Sequence, residues 1–294
     1  MSGALRCAFL TMEDTRGWSI DAELAIEPLG ALGWSVDSVP WQRTVDWRRW
    51  QAVYVGTPWD YPENPGHFLG VLAAIEAAGA LLANPLELVR WNLAKTYLRD
   101  LGQQGVDIVP TEWHERLGAA EIDALARRAA LEPLVVKPVV STNATHTYPL
   151  EGPLDPALRA ELARVFAERA CMVQPFVQAI RGEGEYSLFH IGGTLSHAIR
   201  KRPKPGDFRV QEEHGAHIEA CRPEAGLADV ADAVLARVTP APLYARSDFV
   251  RAADGRFLLM ELELIEPSLY LRMDPGAPAR FAQAFDDWAR ARLG

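Results

Sequence analysis

An α/β fold with additional α+β lobes is the fold class that this sequence predicts, and the pattern of its first ninety residues supports it in two ways. Short apolar runs typical of strands alternate with longer runs of helical length. The strand-like runs cover 5–10, 34–39, 52–55 and 81–82, and the helical runs cover 20–32 and a stretch that ends at Ala78. Gly33 follows the first helical run, where a C-terminal glycine is expected. Strands and helices in this alternation form a parallel sheet with helices on its faces.

The loop after the third predicted strand covers 56–61 and has the sequence GTPWDY. Parallel sheets bind ligands at the carboxyl ends of their strands, and this loop lies at such an end. Its aromatic residues suit a well-packed loop as well as a substrate site, so both interpretations stay open. We expect a substrate pocket for a small zwitterion to include residues of the N-terminal lobe, namely Thr11, Trp59, Asp60 and Tyr61.

The rest of the chain continues with helices and strands and contains no internal repeat. Helices are predicted over 85–101, 119–130, 156–169, 227–237 and 279–292. Strands are predicted over 106–109, 134–137, 172–177, 185–191 and 194–200, followed by a hairpin over 243–264. Lys95 lies at the edge of the apolar stripe of the first of these helices. Proline and glycine near Asn84 and Gly152 mark candidate domain boundaries.

The composition excludes several classes of protein. The chain has 294 residues, with 39 acidic and 30 basic side chains and a net charge of −9. Nucleic-acid binders and proteins that dock on anionic lipid need a basic surface, so neither class is expected. No apolar run is long enough to span a membrane, and the N-terminus is typical of a first strand rather than a signal peptide. The three cysteines are too far apart for a metal or redox motif, which favours a reduced, cytoplasmic setting.

The hairpin over 243–267 is the most informative segment. Asp254-Gly255 is a strong two-residue turn, and this turn places Asp248 opposite Glu261 and Arg246 opposite Glu263. Alternation then gives the second strand a core face, formed by Leu258, Met260, Leu262 and Leu264.

The other face of this hairpin gathers carboxylates. Asp248, Glu261 and Glu263 lie side by side there, and opposed carboxylates destabilise a bare sheet. A divalent cation between them reverses that effect, so we predict a Mg²⁺ site, with Mn²⁺ as a second possible ion. The alternative is a solvated outer face, on which acidic residues are common. Glu266 is expected to border the same cavity.

The run over 200–209, RKRPKPGDFR, is the most basic stretch of this acidic chain. Its prolines and glycine indicate a loop, and beside an acidic hairpin such a loop can clamp a triphosphate. Lys137 ends an apolar strand and is followed by a polar loop over 141–145, which offers the backbone N–H groups and hydroxyls of a phosphate-covering loop. No GxxxxGK[ST] motif is present, so a P-loop enzyme is excluded. His197, near the basic run, suits a substrate contact or a structural role equally well.

Six segments in this order resemble the ATP-grasp superfamily. They are NLAK (92–95), VVKP (135–138), MVQPFV (172–177), GEYS (184–187), the basic run to Arg209, and Asp248 with ELE (261–263). Longer strings, including VVKPVVS, KRPKPGDFRVQ and ELELIEPS, resemble the glutathione synthetase-like branch, and within it the family of O-ureido-D-serine cyclo-ligases. The resemblance covers nearly the whole chain. It implies an ATP-grasp fold with an N-terminal Rossmann-like domain over 1–90, a small lobe over 91–173 and a C-terminal lobe over 174–294.

The resemblance also implies a role for each matching residue. Lys95, Lys137 and the loop at Ser141 would contact the ATP phosphates, with Lys137 also near the adenine. The adenine would lie against Gln174, Phe176 and Val177, and Glu185 would bind the ribose hydroxyls. Arg200, Lys201 and Arg209 would face the γ-phosphate or an acyl phosphate, and Asp248, Glu261 and Glu263 would hold Mg²⁺. Glutathione synthetase-like members usually carry Asn in place of Glu263 and a glycine-rich loop in place of 141–145.

The activity implied is an ATP-dependent ligation of a small carboxylate and an amine through an acyl phosphate, within or between molecules. Two alternatives stay open: a small-molecule kinase on the same scaffold, and an ATP-binding protein without turnover. The implied partners are ATP and a small amino-acid-like substrate, with neither nucleic acid nor membrane, and a homodimer is common among relatives.

Overall fold

The computed structural model describes residues 5–294, and its N-terminal part is a four-stranded parallel sheet. The strands are β1 (Leu5–Thr11), β2 (Trp34–Pro40), β3 (Ala52–Thr57) and β4 (Leu81–Ala83), in the spatial order β2-β1-β3-β4. Every residue of β3 is buried, because the strand lies inside the sheet and both of its faces are covered. The parallel sheet predicted from the sequence is confirmed.

Two helices belong to this sheet, α1 (Ile26–Ala31) and α2 (Pro65–Ala77). The single helix predicted over 20–32 is wrong in its first part, since Ala22–Ala25 form a 3₁₀ helix. Proline lacks an N–H group and is tolerated only in the first turn of an α-helix, so Pro28 places the start of α1 at Ile26.

The helix predicted over 85–101 is divided into α3 (Leu86–Asn92) and α4 (Tyr97–Gln103). Lys95 lies in the break between them, where its backbone N–H donates to the carbonyl oxygen of Val139 at 2.9 Å. The break therefore attaches the Lys95 backbone to the segment that follows the predicted strand over 134–137.

The second sheet has four antiparallel strands in the order β5-β8-β6-β7. Its elements are β5 (Glu112–His114), α5 (Ala119–Ala129), β6 (Leu134–Pro138), β7 (Tyr148–Leu150), α6 (Pro156–Val165) and β8 (Cys171–Pro175). The strand predicted over 106–109 is wrong, because Ile108 makes only an isolated bridge to Leu259 and the strand of this region is β5.

The third sheet has five antiparallel strands in the order β11-β10-β9-β12-β13. Its elements are α7 (Ala179–Gly182), β9 (Glu185–Ile191), β10 (Thr194–Arg202), β11 (His217–Cys221), α8 (Ala225–Leu235), β12 (Tyr244–Arg251), β13 (Phe257–Glu263) and α9 (Ala277–Leu293). Further 3₁₀ helices cover Trp47–Arg49, Tyr61–Glu63, Glu212–His214 and Leu271–Met273.

The hairpin of β12 and β13 pairs Asp248 with Glu261 and Arg246 with Glu263, as the sequence predicts. The two-residue turn used for that prediction is wrong, because the Ala252 N–H donates to the carbonyl oxygen of Arg256 across a three-residue loop. The register then shifts by one residue between Asp248 and Phe249, which leaves Met260 as an extra residue in β13. The longer loop and the extra residue offset each other, so the pairing at Asp248 and Arg246 is the predicted one.

The N-terminal sheet is joined to the third sheet by buried hydrogen bonds. The Tyr244 hydroxyl lies 2.8 Å from the carbonyl oxygens of Ala83 and Ile265, and the Asn84 side-chain amide donates to the carbonyl oxygens of Tyr244 and Leu264. These bonds hold the carboxyl end of β4 against the chain that leaves β13. Across residues 5–294, none of the helices combines the length and the apolar character needed to cross a membrane.

Candidate active site

An open cleft of about 1650 Å³ is lined by β6 and β8 on one side and by β10, β12 and β13 on the other. Loops of the N-terminal sheet border the same cleft. It is lined by all the predicted site residues except Arg200, namely Lys95, Lys137, Ser141, Gln174, Phe176, Val177, Glu185, Lys201, Arg209, Asp248, Glu261 and Glu263. Glu266 also lines the cleft, as expected.

The predicted metal residues Asp248, Glu261 and Glu263 meet on one face of the hairpin, with one oxygen of each within 4.8 Å of the others. A neighbour outside the hairpin, Asn92, fixes the end of β13. The Asn92 side chain bonds the backbone of both Leu262 and Leu264 at 2.8 Å. These bonds hold the alternation that directs both glutamates towards the cleft.

Each of these carboxylates has a cationic neighbour. Arg246 contacts both Asp248, at 3.0 Å, and Glu263, and Lys95 contacts Glu261 at 2.7 Å. Burial alone would raise the pKa of Asp248, but Arg246 and the neighbouring lysine outweigh it and lower that pKa. Burial raises the pKa of Glu263 to about 7, although Arg246 opposes the shift.

Lys201 is buried between Glu185 on β9 and Asp248 on β12, with its Nζ 3.4 Å from the Asp248 carboxylate. Burial opposes the charge of the Lys201 ammonium, but the two carboxylates raise its pKa above the ordinary value. Gly184 makes this approach possible, because its φ is +98° and a Cβ there would lie 2.5 Å from the Lys201 carbonyl oxygen.

Lys137 also lies in the cleft, but unlike Lys201 it has no carboxylate partner among residues 5–294. Its side chain is buried, and no carboxylate oxygen of residues 5–294 lies within 4.0 Å of its Nζ. Burial lowers the pKa of Lys137, although Glu261 opposes the shift. A buried ammonium without an ion-pair partner is suited to bind an anion that enters the cleft.

One end of the cleft is apolar. Its lining includes Val109, Val135, Phe176, Val177, Ile180, Phe208, Val210 and Met260. Gln174 lies beside them, and its side-chain amide donates to the Thr111 hydroxyl at 2.9 Å. Such a surface with a few fixed polar groups suits a flat heteroaromatic ring.

The polar loop after β6 passes over the cleft. The Ser141 carbonyl oxygen accepts a hydrogen bond from Lys95 Nζ at 2.9 Å, and the Thr142 hydroxyl donates to the Trp59 carbonyl oxygen at 3.1 Å. Asn143 and Ala144 have φ values of +50° and +54°, a backbone conformation that costs about 1–2 kcal/mol for a residue with a Cβ. The loop over 141–145 takes this shape without a glycine.

Arg200 does not belong to the cleft, which corrects the expectation that it faces a phosphate. The segment over 200–202 continues β10 instead of forming a loop, so neighbouring side chains point to opposite faces. Lys201 faces the cleft, while Arg200 binds Glu219 of β11 on the other face. Arg209 lies in the loop that follows and lines the cleft while paired with Asp207 at 2.8 Å.

Some of the remaining residues proposed from the sequence line the cleft and others do not. Trp59 and Tyr61 line the cleft, whereas Thr11 and Asp60 do not, and Asp60 accepts a hydrogen bond from the Trp41 indole. His197 is structural: it stacks on the Phe189 ring at 4.4 Å, and its Nε2 lies 2.9 Å from the Leu269 carbonyl oxygen.

Several lining residues were not identified as site residues from the sequence. Arg246 could have been found, because it is two residues before Asp248 on the same face of β12. The others come from loops whose position depends on tertiary packing, namely Trp18, Ser19, Glu212, Glu213, Ser268 and Tyr270.

Comparison with known proteins shows the family of the chain. Residues 7–84 match the family model described as the N-terminal domain of D-cycloserine synthetase DcsG. The chain is 32% identical to the cycloserine biosynthesis protein DcsG of Streptomyces lavendulae over 276 residues, which cover 88% of this chain and 90% of that protein.

Solved structures agree. The crystal structure of D-cycloserine synthetase DcsG is 30% identical and superposes with a TM-score of 0.84, covering 97% of this chain and 99% of that one. D-alanine–D-alanine ligase from Bacillus anthracis is 14% identical, with a TM-score of 0.68 over 99% of this chain and 98% of its own, and shares the fold. The chain belongs to the DcsG family of ATP-grasp ligases.

Proposed function

We propose that this ATP-dependent ligase activates the carboxylate of a small amino-acid-like substrate and closes a ring by forming a C–N bond within the same molecule. The observation that carries the proposal is the 32% identity to a cycloserine biosynthesis protein over most of the chain. We further propose that the reaction depends on Mg²⁺ and yields a ring of the cycloserine type. The ring nitrogen formed from a ureido substrate keeps its carbamoyl group until water hydrolyses that group to CO₂ and ammonia.

The three carboxylates fit a magnesium ion. Mg–O distances of about 2.0–2.1 Å place ligand oxygens at most about 4.2 Å apart. The oxygens of Asp248, Glu261 and Glu263 lie within 4.8 Å of one another, so small side-chain rotations complete the arrangement. Mg²⁺ held there would neutralise phosphate oxygens while the γ-phosphoryl group is transferred.

The ion pairs of the cleft suit an exchange of partners. Lys95, Lys201 and Arg246 now neutralise the carboxylates that a metal would neutralise. When a metal occupies the carboxylates, these cations become available to phosphate oxygens. Lys137, which has no ion pair among residues 5–294, and Arg209 also line the cleft and would add positive charge near the phosphates.

We propose one position for ATP in the cleft, in which its adenine, ribose and phosphates each lie near residues of matching chemistry. Its adenine would lie on the apolar end, against Gln174, Phe176 and Val177, with Glu185 near the ribose hydroxyls. Its phosphates would lie under the Ser141 loop and above the carboxylates of the hairpin.

The reaction then needs positioning and charge stabilisation rather than a protein nucleophile. The substrate carboxylate attacks the γ-phosphorus, which gives an acyl phosphate and ADP. A nitrogen of the substrate attacks the acyl carbon and forms the C–N bond. The C–O bond to phosphate breaks, inorganic phosphate leaves with the electron pair, and the nitrogen gives its proton to solvent.

The test is product formation from O-ureido-D-serine with Mg²⁺ and ATP, together with a panel of other amino acids and dipeptides. We expect ADP and free phosphate in equal amounts, and mass spectrometry should find a cyclised product. A stable phosphorylated compound would show a kinase instead, and nucleotide binding without ADP release across the panel would contradict a ligase.

A further inference from the structure

The carboxylates that line the cleft differ in their partners. Those of the nucleotide and metal region each have a cation within 4.0 Å, namely Glu185, Asp248, Glu261 and Glu263. Glu212 of the rim pairs with Arg272. Glu266 is only 7% exposed, and no Lys, Arg or His nitrogen of residues 5–294 lies within 4.0 Å of its carboxylate.

Aromatic residues lie next to the segment that carries this unpaired carboxylate. The Trp59 indole N–H donates to the Glu266 backbone carbonyl oxygen at 2.9 Å, and the neighbouring Tyr61 hydroxyl acts to lower the pKa of the Glu266 carboxyl. Trp18 packs on Trp59 with the ring centres 5.1 Å apart. All three rings line the cleft. Burial, followed by the charge of Glu263, raises the pKa of Glu266 to about 8.

A buried carboxylate without a cation is costly, and proteins rarely keep one unless a ligand completes it. The missing partner must carry positive charge and hydrogen-bond donors. Aromatic faces attract the same kind of group, because their π electrons stabilise a cation. The N-terminal loops and the Glu266 segment therefore form a site whose chemistry differs from that of the phosphate region.

We propose that Glu266, Tyr61, Trp59 and Trp18 form an ammonium subsite that holds the free primary amine of the substrate and so selects amino acids over simple carboxylic acids. The proposal rests on the proposed function, since it deepens the substrate class of the same cleft. Glu266 follows the metal residue Glu263 by three positions. Both residues line the same cleft, so an amine bound at Glu266 would hold an α-amino acid beside the proposed phosphate region.

The probes are D-cycloserine and isoxazolidin-3-one, which is the same ring without the amino group. Binding is measured by calorimetry on the full chain with Mg²⁺ and AMPPNP. Loss of one charge-assisted contact corresponds to roughly 10- to 100-fold in affinity, so the chain should prefer D-cycloserine by about that factor. Glu266→Gln should remove this preference and leave the affinity for isoxazolidin-3-one unchanged, whereas Glu266→Asp should retain part of it.

Glu63→Gln is the matched control, because Glu63 is an exposed carboxylate beside the same loop and lies outside the cleft. It should bind both probes as the natural chain does. AMPPNP affinity and thermal unfolding show that each variant is folded and loaded.

Equal binding of the two probes by the natural chain, or an unchanged preference in folded Glu266→Gln, would overturn the subsite. So would failure of both probes to bind while AMPPNP binds. These outcomes are independent of the proposed function, which stands or falls on ADP release and the cyclised product from O-ureido-D-serine.

Discussion

The buried carboxylates at the hairpin end of the cleft are paired with cations, whereas Glu266, at the end beside the N-terminal sheet, is not. Around the hairpin, Lys95, Lys201 and Arg246 neutralise a set of acidic side chains inside a network of short contacts. Beside the N-terminal sheet, Glu266 is buried next to Trp59, and no cationic nitrogen of residues 5–294 lies within 4.0 Å of its carboxylate. We propose that the balanced end performs the phosphoryl transfer common to ATP-grasp ligases. On the same proposal the unbalanced end binds the substrate amine, which would separate substrate selection from the shared chemistry.

The largest expected effect is at the balanced end. Glu261→Gln removes a proposed metal ligand and leaves Lys95 without its carboxylate. We expect turnover with Mg²⁺ and ATP to fall by at least about 100-fold, measured as ADP release. The fold should persist, as judged by circular dichroism. Unchanged turnover would remove Glu261 from the metal site.

A smaller loss is expected for Lys137→Ala, because this ammonium has no ion-pair partner among residues 5–294 and, as we propose, binds the entering anion. ATP should bind roughly 10- to 100-fold more weakly by calorimetry. Natural affinity in this variant would place Lys137 outside the nucleotide site.

Arg200→Ala tests the separation of faces in β10. Its pair with Glu219 is partly exposed and lies on the far side of the sheet, so its removal should change ATP affinity by less than about threefold. A tenfold loss or more would mean that Arg200 reaches the phosphates after all.

The last prediction concerns stability at the unbalanced end. Because the pKa of Glu266 is raised to about 8, folding favours its protonated form. At a pH below the pKa of the unfolded state, Glu266 does not change the free energy of unfolding. As the pH rises from there towards 8, the carboxyl lowers the free energy of unfolding by a growing amount. Glu266→Gln should therefore raise the Tm of the ligand-free protein at pH 8, at roughly 2–4 °C per kcal/mol, and change it little at pH 5. An equal Tm for the variant and the natural chain at pH 8 would contradict a carboxylate that is charged and unpaired.

Local patterns predicted the parts of this molecule that depend on period and order. The alternation of Glu261 and Glu263 with leucines was enough to find the carboxylate face, although the assumed turn at Asp254-Gly255 was wrong. The correct pairing resulted because a longer loop and the extra residue Met260 offset each other. No local pattern distinguishes that combination from a simple two-residue turn.

Features that depend on distant contacts were not predictable in the same way. The break at Lys95 exists because its backbone bonds Val139, more than forty residues away. Arg200 was misplaced because a basic run with prolines suggested a loop, whereas pairing with β9 and β11 extends β10 to Arg202. Trp18 and Glu266 line the same cleft only because the N-terminal sheet packs on the third sheet.

The extra residue in β13 has a consequence for how one strand lines the cleft. Before it, the even-numbered Leu258 and Met260 face the apolar end, and after it the odd-numbered Glu261 and Glu263 face the metal end. The alternation of the strand is therefore interrupted at Met260, and the adjacent residues Met260 and Glu261 both line the cleft, one with a thioether and one with a carboxylate. Without this extra residue the two strands could still pair. The strict alternation of an ordinary strand would then place the side chains of two adjacent residues on opposite faces, so a thioether and a carboxylate next to each other in the sequence could not both line the cleft.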